Sequence, residues 1–405
     1  ELMAYLGQAL TFRGVSYFYL AQFFQHTYAT SQNMPCVPIY LSGNEESIYS
    51  RATVQQVFDR AEADLCKAET LLADFERTNK SEVDQHVVQG LLSRLYLVKR
   101  EWDKAAEMAN KARQGYALMD QQTALEYNYQ DVLNSEVMWG VDITASTCMI
   151  YASFQSWMCA QYLGYGGQVG AVQLIDAKLY NSIPENDVRK YLYVAPGETY
   201  PCQDAQGNKW DIPSYGNLKF KAEGAENFLG DFIYMRSSEM YLTEAEALVR
   251  LGRADEAYTL LTEFMSNRLT EGDWEIKRAT IDVVQNQRRV ELWGEGFSLF
   301  DVLRLKKPII RKGANFSGNV TFEDLPAESP IFIYSIPESE REANKGIDVA
   351  ALREEFAGYD GYIFTDYRGM TVEQITNIRK NLRKDDAAYR VVKNRYAKIA
   401  LKNLD

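Results

Sequence analysis

Two glutamate pairs are the residues whose spacing could support acid–base chemistry. Glu244 and Glu246 form one pair, and Glu291 and Glu295 form the other. A glycosidase needs two carboxylates at a set separation across a cleft. On a helix residues 244 and 246 diverge, whereas 291 and 295 lie among arginines, as in a structural ion-pair network. A glycosidase therefore remains an alternative, and we favour a protein without catalytic activity.

Other catalytic and metal-binding patterns are missing from the sequence. It contains no Gly-x-Ser-x-Gly, HExxH, Walker A or dinucleotide fingerprint. It has only two histidines, which argues against a histidine-based zinc site. The segment DAQGNKWD at 204–211 lacks the regular acidic spacing of a calcium loop. We therefore predict no metal, no cofactor and no enzyme activity.

Aromatic side chains among polar residues are better candidates for a functional site. Residues 127–231 are rich in glycine, tyrosine and polar side chains, and loops held by a rigid scaffold commonly carry binding residues. Sugar rings have apolar faces and hydroxyl edges, so aromatic platforms beside amides and carboxylates suit a glycan. Half or more of the rings could equally belong to the core. The candidate ligand-binding residues are Tyr40, Trp157, Tyr162, Tyr165, Trp210 and Tyr215.

Amphipathic helix pairs must position these loops. Apolar residues recur at helical spacing in Thr53–Asp74, and hairpins are predicted for Asp84–Lys99 with Trp102–Arg113 and for Met235–Leu251 with Ala254–Arg268. Small alanines on facing helices after a short basic turn are typical of tetratricopeptide-like repeats. The run EVMWGVDI predicts a strand. The predicted fold is mostly α, a tetratricopeptide-like helix-pair scaffold with a loop-rich, partly β insertion.

The segment NQRRVELWGEGFSLFDVLRLKK, residues 286–307, concentrates charges, aromatic rings and two glycines. As a helix it predicts one shared face made of Val290, Trp293, Phe297, Phe300 and Arg304. Arg288 would pair with Glu291, and Asp301 with Arg304. The two glycines are costly inside a helix, so they indicate a break or a close backbone approach.

Several motifs resemble the SusD/RagB family in the expected order. RRVELWGEGFSLFDVLR resembles its signature RR-x-EL-x-x-EG-x-R-x-x-D-x-x-R, with Ser298 in place of the usual basic residue. YMRSSEMYLTEAEAL resembles the segment R-x-x-E-x-Y-L-x-x-AEA. NDVRKYLY and NLKF, around Asp187, Arg189 and Lys219, resemble landmarks that we interpret as structural. IPESEREAN at 336–344 resembles the closing segment.

The resemblance implies a surface-exposed lipoprotein of the cell outer membrane. Such a protein binds oligosaccharide, polysaccharide or another nutrient without cleaving it, and delivers it to a SusC-like TonB-dependent transporter. Family members begin with a lipoprotein signal and a lipidated cysteine, so we expect an upstream portion with a lipid anchor that this chain lacks. The predicted SusD-like domain spans residues 1–348, with helix pairs at about 1–115 and 232–307 and a ligand region at about 127–231.

Residues 351–405 resemble a different family, the N-terminal part of the large-subunit ribosomal stalk protein of family L-ten. The resemblance rests on DYRGMT (366–371), LR (382–383) and VVKN (391–394). From residue 364 to 404 there are 10 basic and 4 acidic residues, and the pattern is strand, turn, basic helix, strand, basic helix. In that family the domain binds ribosomal RNA, and clustered basic residues would contact phosphates. The candidates are Arg379, Lys380, Arg383, Lys393, Arg395 and Lys398.

The charge distribution sets the two parts apart. A net charge of −12 argues against general nucleic-acid binding, yet the segment from residue 349 onward is basic. No mechanism joins a surface glycan binder to a small α/β ribosomal fragment. We therefore hypothesise an artificial or mis-assembled fusion whose domain 349–405 is functionally idle. The alternatives are a glycosidase, a ribosomal RNA binder acting through the tail, and a scaffold for protein partners.

Overall fold

A computed structural model gives the arrangement of most of the chain. It describes residues 1–42, 50–127, 129–149, 153–162, 165–168, 171–203, 206–224, 228–313, 315, 324–344, 346–347, 356–358, 370–382, 384, 387–389, 392 and 394–401. One compact unit contains residues 1–32 and 58–333, and the other contains 33–57 and 334–405. Because the second unit combines residues from both sides of position 348, the domain boundary there stays a prediction.

Helices dominate the described residues, as the sequence predicts. In the first half of the chain they are α1 (Leu2–Phe24), α2 (Tyr28–Ser31), α3 (Val54–Leu71), α4 (Gln85–Lys99), α5 (Trp102–Ala112), α6 (Gln121–Glu126), α7 (Phe154–Met158), α8 (Tyr165–Gln168) and α9 (Ala177–Asn181). In the second half they are α10 (Ser237–Arg250), α11 (Ala254–Ser266), α12 (Ile281–Glu291), α13 (Ser298–Leu305), α14 (Glu338–Ala343), α15 (Val372–Leu382) and α16 (Asn394–Leu401). Short 3-10 helices occupy Val188–Leu192 and Pro330–Phe332.

The predicted helix hairpins are confirmed in the first unit. The side chain of Asp84 caps α4 by accepting a hydrogen bond from the Val87 N–H at 2.9 Å. The helix ends at Arg100, whose φ of 65° turns the chain toward α5. Helix α5 packs against both α4 and α10, and its alanines are buried. Gly252, at φ 79°, makes the corresponding turn between α10 and α11.

Two antiparallel ribbons interrupt the helices. The predicted strand EVMWGVDI is confirmed as β1 (Val137–Val141), which pairs with β4 (Phe232–Arg236). Strands β2 (Tyr200–Gln203) and β3 (Lys209–Ile212) form the second ribbon. The prediction that a helix begins at Met235 is wrong. Met235 lies in β4 opposite Trp139, so its backbone joins the ribbon before α10 begins.

The signature segment is two helices and not one. Helix α12 ends before a turn in which Gly294 and Gly296 have φ values of 79° and 89°, and α13 follows. A Cβ atom on Gly294 would lie 2.5 Å from Phe220 Cε2 and 2.9 Å from Met158 Cε. The single shared face predicted for this segment is therefore wrong, and the predicted break is confirmed. Glycine is required at 294 by both the backbone conformation and the close packing.

The second unit contains short elements. Pro35 and Thr53 form an isolated antiparallel bridge, and Phe356, Val392 and Ala400 form a small apolar cluster. The predicted basic helix after Thr371 is confirmed as α15, while the predicted strand at 361–366 lies outside the described residues. Within the described ranges, no helix has the length and apolar character to cross a membrane, and no cluster of acidic, histidine or cysteine side chains could hold a metal.

The two glycines of the signature turn provide a matched test of this packing. Gly296→Ala places a side chain at positive φ in open space and should lower the free energy of unfolding by about 1–2 kcal/mol. Gly294→Ala should cost roughly 1–3 kcal/mol more, because its methyl group overlaps Phe220. Urea denaturation measures both. Equal losses in the two variants would contradict the close packing at Gly294.

Candidate functional site

Eight charged side chains from distant parts of the first unit converge in its interior. We call them the charged core: Glu136, Asp187, Arg189, Lys219, Arg236, Arg268, Glu291 and Glu295. Four are cationic and four are carboxylates, so the group is electrically balanced. Glu136 directly precedes β1, and Arg236 is the last residue of β4. Asp187 is the N-cap of the 3-10 helix that contains Arg189, and the signature segment contributes the last two glutamates. One network of ion pairs thus joins elements that are far apart in the sequence.

Glu291 lies at the centre of the charged core. Its carboxylate accepts from Arg268 at 3.0 and 3.1 Å, from Arg236 at 3.1 Å and from Arg189 at 3.3 Å. Burial opposes ionisation, but the three guanidinium groups outweigh it and hold the pKa of this carboxyl well below its ordinary value. Arg236 also pairs with Glu136, which lies beside Arg268 at 3.2 Å. Glu291 therefore acts as a buried structural anion.

Glu295 extends the core into the signature turn. Its carboxylate accepts from Arg236 at 2.6 Å and from Lys219 Nζ at 2.6 Å. Lys219 Nζ also donates to the carbonyl oxygens of Glu291 and Trp293, at 2.8 and 3.0 Å. The ring of Tyr129 lies 4.4 Å from this ammonium group. Lys219 thus fixes the backbone of the turn as well as balancing its charge.

A second charged cluster joins α4, α10, α12 and α13. Its members are Arg94, Glu239, Glu246, Arg288, Asp301 and Arg304. Arg304 donates to both oxygens of Glu246 at 2.7 Å and to Asp301 at 2.7 Å, so the predicted Asp301–Arg304 pair is confirmed. The predicted pairing of Arg288 with Glu291 is wrong. The break after α12 brings Asp301 within 2.8 Å of Arg288, and the core arginines occupy the glutamate.

The carboxylates considered for glycosidase chemistry are engaged in these contacts. Glu244 accepts from Arg113 at 2.7 Å and from Asn110 at 2.9 Å, while Glu246 is held by Arg304. The pKa of Glu295 is lowered, because Arg236 and Lys219 outweigh the effect of burial. A general acid in a glycosidase needs the opposite, a raised carboxyl pKa. These glutamates are placed for structural ion pairs.

Trp157 and Tyr165 are brought together in the loop-rich region. Their ring centroids are 5.1 Å apart at an angle of 80°, and the side chains are 41% and 36% exposed. Ser153 caps α7 by accepting from the Ser156 N–H at 3.0 Å, and Ser156 Oγ accepts from the Tyr165 N–H at 3.0 Å. This buried serine therefore links α7 to α8. The pair presents aromatic surface to solvent, the property a sugar platform needs.

Helix α7 is also connected to the charged core. Asn217 Nδ2 donates to the Met158 carbonyl at 2.7 Å, and Asn217 Oδ1 accepts from the Lys219 N–H at 2.9 Å. The Met158 side chain packs beside Gly294 of the signature turn. The residue after Trp157 is thus held from two sides by groups adjacent to the core. The position of the tryptophan depends on this arrangement.

The other predicted rings of the first unit are placed differently. Tyr162 packs with Cys159, Ala222 and Phe228. Trp210 lies on β3, opposite Cys202. It packs with Val194 and Ile212, and its Nε1 has no hydrogen-bond partner within the described residues. Tyr215 has a φ of 67°, and its ring meets Tyr180 at 5.4 Å. Contact of these three residues with a ligand stays a prediction.

Tyr40 lies in the second unit. Its hydroxyl donates to Glu340 Oε1 at 2.7 Å and accepts from Asn344 Nδ2 at 2.8 Å. Both partners belong to the IPESEREAN segment, so two stretches 300 residues apart meet at this tyrosine. A ligand-binding role for Tyr40 stays a prediction.

The basic candidates of the tail are described only in part. Arg379 and Lys380 are exposed on α15, and Lys398 is exposed on α16. Arg383 and Lys393 lie outside the described residues, and of Arg395 only the helical backbone is described. RNA contact by these residues stays a prediction.

Sequence reasoning missed a second aromatic feature, which we call the tyrosine cleft. It has a volume of about 330 Å³, and its lining includes Tyr180, Glu185, Lys190, Tyr191, Glu198 and Tyr200. The sequence signal was a run of tyrosines around the Gly197 turn. Tyr191 and Tyr200 are 59% and 40% exposed, so this cleft offers accessible rings as the Trp157–Tyr165 pair does.

Comparison with known families agrees with the fold and the charged signature. Residues 154–350 match the model described as the SusD family, and residues 1–97 match one described as starch-binding associating with outer membrane. This part of the chain is SusD-like. A SusD-like carbohydrate binding protein from Bacteroides vulgatus has 25% sequence identity and a TM-score of 0.70, with 84% of this chain and 76% of that one covered. A SusD superfamily protein from Bacteroides thetaiotaomicron has 25% sequence identity and a TM-score of 0.65, with 84% of this chain and 76% of that one covered.

The C-terminal segment matches a separate family. Residues 340–405 match the model described as ribosomal protein L10. The large ribosomal subunit protein uL10 of Treponema pallidum is 46% identical over 57 residues, which are 14% of this chain. The chain spans only 32% of that relative's length. The resemblance of the tail to this family is thereby confirmed over a short region.

Removing the central anion tests the structural role of the charged core. Glu291→Gln leaves three buried arginines short of one negative charge, and we expect the free energy of unfolding to fall by roughly 3–5 kcal/mol. Glu256→Gln is the control, because Glu256 pairs with Arg253 on the surface and should leave stability near wild type. Chemical denaturation at neutral pH measures both. Equal stability of the two variants would contradict the role assigned to Glu291.

The lowered pKa of Glu291 also predicts how stability depends on pH. A depressed folded-state pKa gives stability that is complete above the unfolded value, about 4.3 for glutamate, and is lost as the pH falls toward the folded value. The unfolding free energy of the wild type should therefore decrease below that pH. The Glu291→Gln variant should show a shallower decrease, measured by denaturation in a series of buffers. Parallel acid profiles would contradict this prediction.

Proposed function

We propose that this SusD-like protein binds oligosaccharide or polysaccharide at the cell surface and passes it uncleaved to a TonB-dependent transporter in the outer membrane. The observation that carries the proposal is the exposed Trp157–Tyr165 pair, fixed on short helices. Similarity to a SusD-like carbohydrate binding protein supports the ligand class. The family match supports association with the outer membrane and partnership with a SusC-like transporter.

Stacking suits this task physically. The apolar face of a pyranose loses little hydration when it covers an aromatic ring, and polar neighbours then select its hydroxyl edge. Two rings at 80° to each other present differently oriented surfaces, which favours a bent chain or two successive sugar units. Because Ser156 and Asn217 hold the backbone beside the rings, little ordering cost remains for binding.

Binding without cleavage fits the placement of the carboxylates. The glutamates at 244, 246, 291 and 295 all accept hydrogen bonds from basic side chains. The hydrogen bonds described above at α7 and α8 join serine hydroxyls to backbone N–H groups. Incubation with a labelled oligosaccharide should return it intact. Turnover by the purified chain would favour the glycosidase alternative.

Truncation of the aromatic pair tests the binding site. Trp157→Ala should weaken glycan binding by roughly 1–3 kcal/mol, and Tyr165→Ala should weaken it in the same direction, as expected for anchoring rings. Tyr5→Ala is the matched control, because Tyr5 is 68% exposed on α1. A glycan array identifies the ligand, and calorimetry with that ligand measures the affinities. Unchanged affinity in folded Trp157→Ala and Tyr165→Ala proteins would remove this pair from the site.

The L10-like segment gives a second candidate function, binding of ribosomal RNA. It is favoured by the family match and by the exposed Arg379 and Lys380 on α15. If the segment binds RNA through phosphates, the double alanine variant at these positions should lower the slope of log K against log salt by about 2. The control is the double alanine variant of Lys277 and Arg278, two consecutive exposed basic residues outside the L10-like segment. Absence of salt-dependent RNA binding by the wild type would favour the hypothesis of an idle fused tail.

A further inference from the structure

We propose that the tyrosine cleft binds a sugar residue that carries a protonated amine. The inference rests on the proposed glycan-binding function and adds a second subsite with a stated preference for charge. It is carried by four tyrosines and two carboxylates that line one cavity of about 330 Å³. Among the described lining residues the one cation, Lys190, is already engaged. A cavity of this size lies at the lower end of small-molecule sites and suits one or two sugar rings.

The rings of the cleft already hold one ammonium group. Lys190 Nζ lies 5.1 Å from the centroid of the Tyr180 ring, within the range of a cation–π contact. Tyr180 is buried, whereas Tyr191 and Tyr200 are 59% and 40% exposed. The accessible rings can therefore stack on the apolar face of a sugar while a second ammonium group approaches the same cavity. The contact between Lys190 and Tyr180 already shows an ammonium group held against a tyrosine ring in this cleft.

The charges of the cleft leave one carboxylate for a ligand. Lys190 Nζ pairs with Glu185 at 2.5 Å and donates to the Ile183 carbonyl at 2.9 Å. Within the described part of the chain, the Glu198 side chain forms no ion pair or hydrogen bond. Two carboxylates against one lysine give the cleft one net negative charge. An ammonium group on the ligand would balance it, and a uronic acid would be repelled.

The position of Glu198 is fixed by the backbone. Gly197 has a φ of 82°, and its N–H donates to Ser214 Oγ at 2.9 Å. The same hydroxyl donates to the Glu198 carbonyl at 2.9 Å, and the Glu198 N–H donates to the Ala195 carbonyl at 3.1 Å. This turn connects the 3-10 helix that carries Tyr191 to strand β2, which begins at Tyr200. The carboxylate is therefore presented from a constrained turn between the two accessible rings.

Calorimetry with the full chain tests the proposal below neutral pH, where a sugar amine is protonated. A glucosamine tetramer should bind about tenfold or more tightly than the N-acetylated tetramer, because only the former offers a charged donor to Glu198. A uronic acid tetramer should bind most weakly. Glu198→Gln should abolish the preference for the amine, and Tyr191→Ala should weaken binding of both glucosamine-based tetramers. Tyr5→Ala should bind like the wild type.

Each contrary result has a distinct meaning. Equal affinity for the amine and N-acetyl tetramers, or an unchanged preference in Glu198→Gln, would overturn the proposal. Equal binding of a lysine-containing tripeptide would also overturn it, because the site would then select ammonium groups and not sugars. If Trp157→Ala weakens binding of a neutral glycan while no amine preference exists, the proposed function stands and this inference fails. If no saccharide binds the wild type, the proposed function itself fails.

Discussion

The ionic network around Glu291 is the constraint on which the SusD-like part of the structure depends. A buried carboxylate among three arginines is tolerated only because each charge has a partner, and removal of one partner leaves the others uncompensated. The network also holds together elements that are far apart in the sequence. It joins the β1–β4 ribbon, the segment that follows α11, the 3-10 helix at 188–192 and the signature turn. Hydrophobic packing surrounds this arrangement, and the directional hydrogen bonds fix its geometry.

The charged core also helps to position an exposed aromatic residue, Trp157. Lys219 binds the carbonyl groups of the signature turn, and Asn217, two residues earlier, binds the carbonyl of Met158. The turn packs on the Met158 side chain at Gly294, where a larger residue would not fit. Trp157 therefore stands on a helix whose end is fixed by groups adjacent to the core. A loop-borne aromatic ring gains a defined position without a continuous strand or a long helix beneath it.

The sequence predicted the repeating parts of this fold and missed the parts set by tertiary contacts. The hairpins α4–α5 and α10–α11 follow from helical periodicity, capping and short turns, which are local properties. Strand β4 was not predicted because Met235 continues the apolar pattern of α10, and pairing with β1 delays the start of the helix to Ser237. The Arg288–Glu291 pair failed for a similar reason. Local spacing allows it, but the glycine turn supplies Asp301 to the arginine.

For a related reason, the sequence did not predict which individual aromatic rings are exposed. Trp157 and Trp210 lie in the same polar, tyrosine-rich region, yet Trp157 is 41% exposed and Trp210 packs with Val194 and Ile212. The difference in exposure depends on the tertiary contacts of each ring, which the composition of the region does not reveal. The Tyr191 and Tyr200 rings of the tyrosine cleft were missed because only the Gly197 turn brings them to one cavity.

The balance of the buried charges also bears on ligand choice. The charged core has four cations and four carboxylates, and the second charged cluster has three of each. The net charge of −12 therefore comes entirely from residues outside these two groups. An excess of carboxylates raises the potential energy of an acidic glycan near the protein and lowers that of a cationic one. For the glycan-binding function proposed above, this distribution of charge disfavours acidic sugars and favours amine-bearing ones.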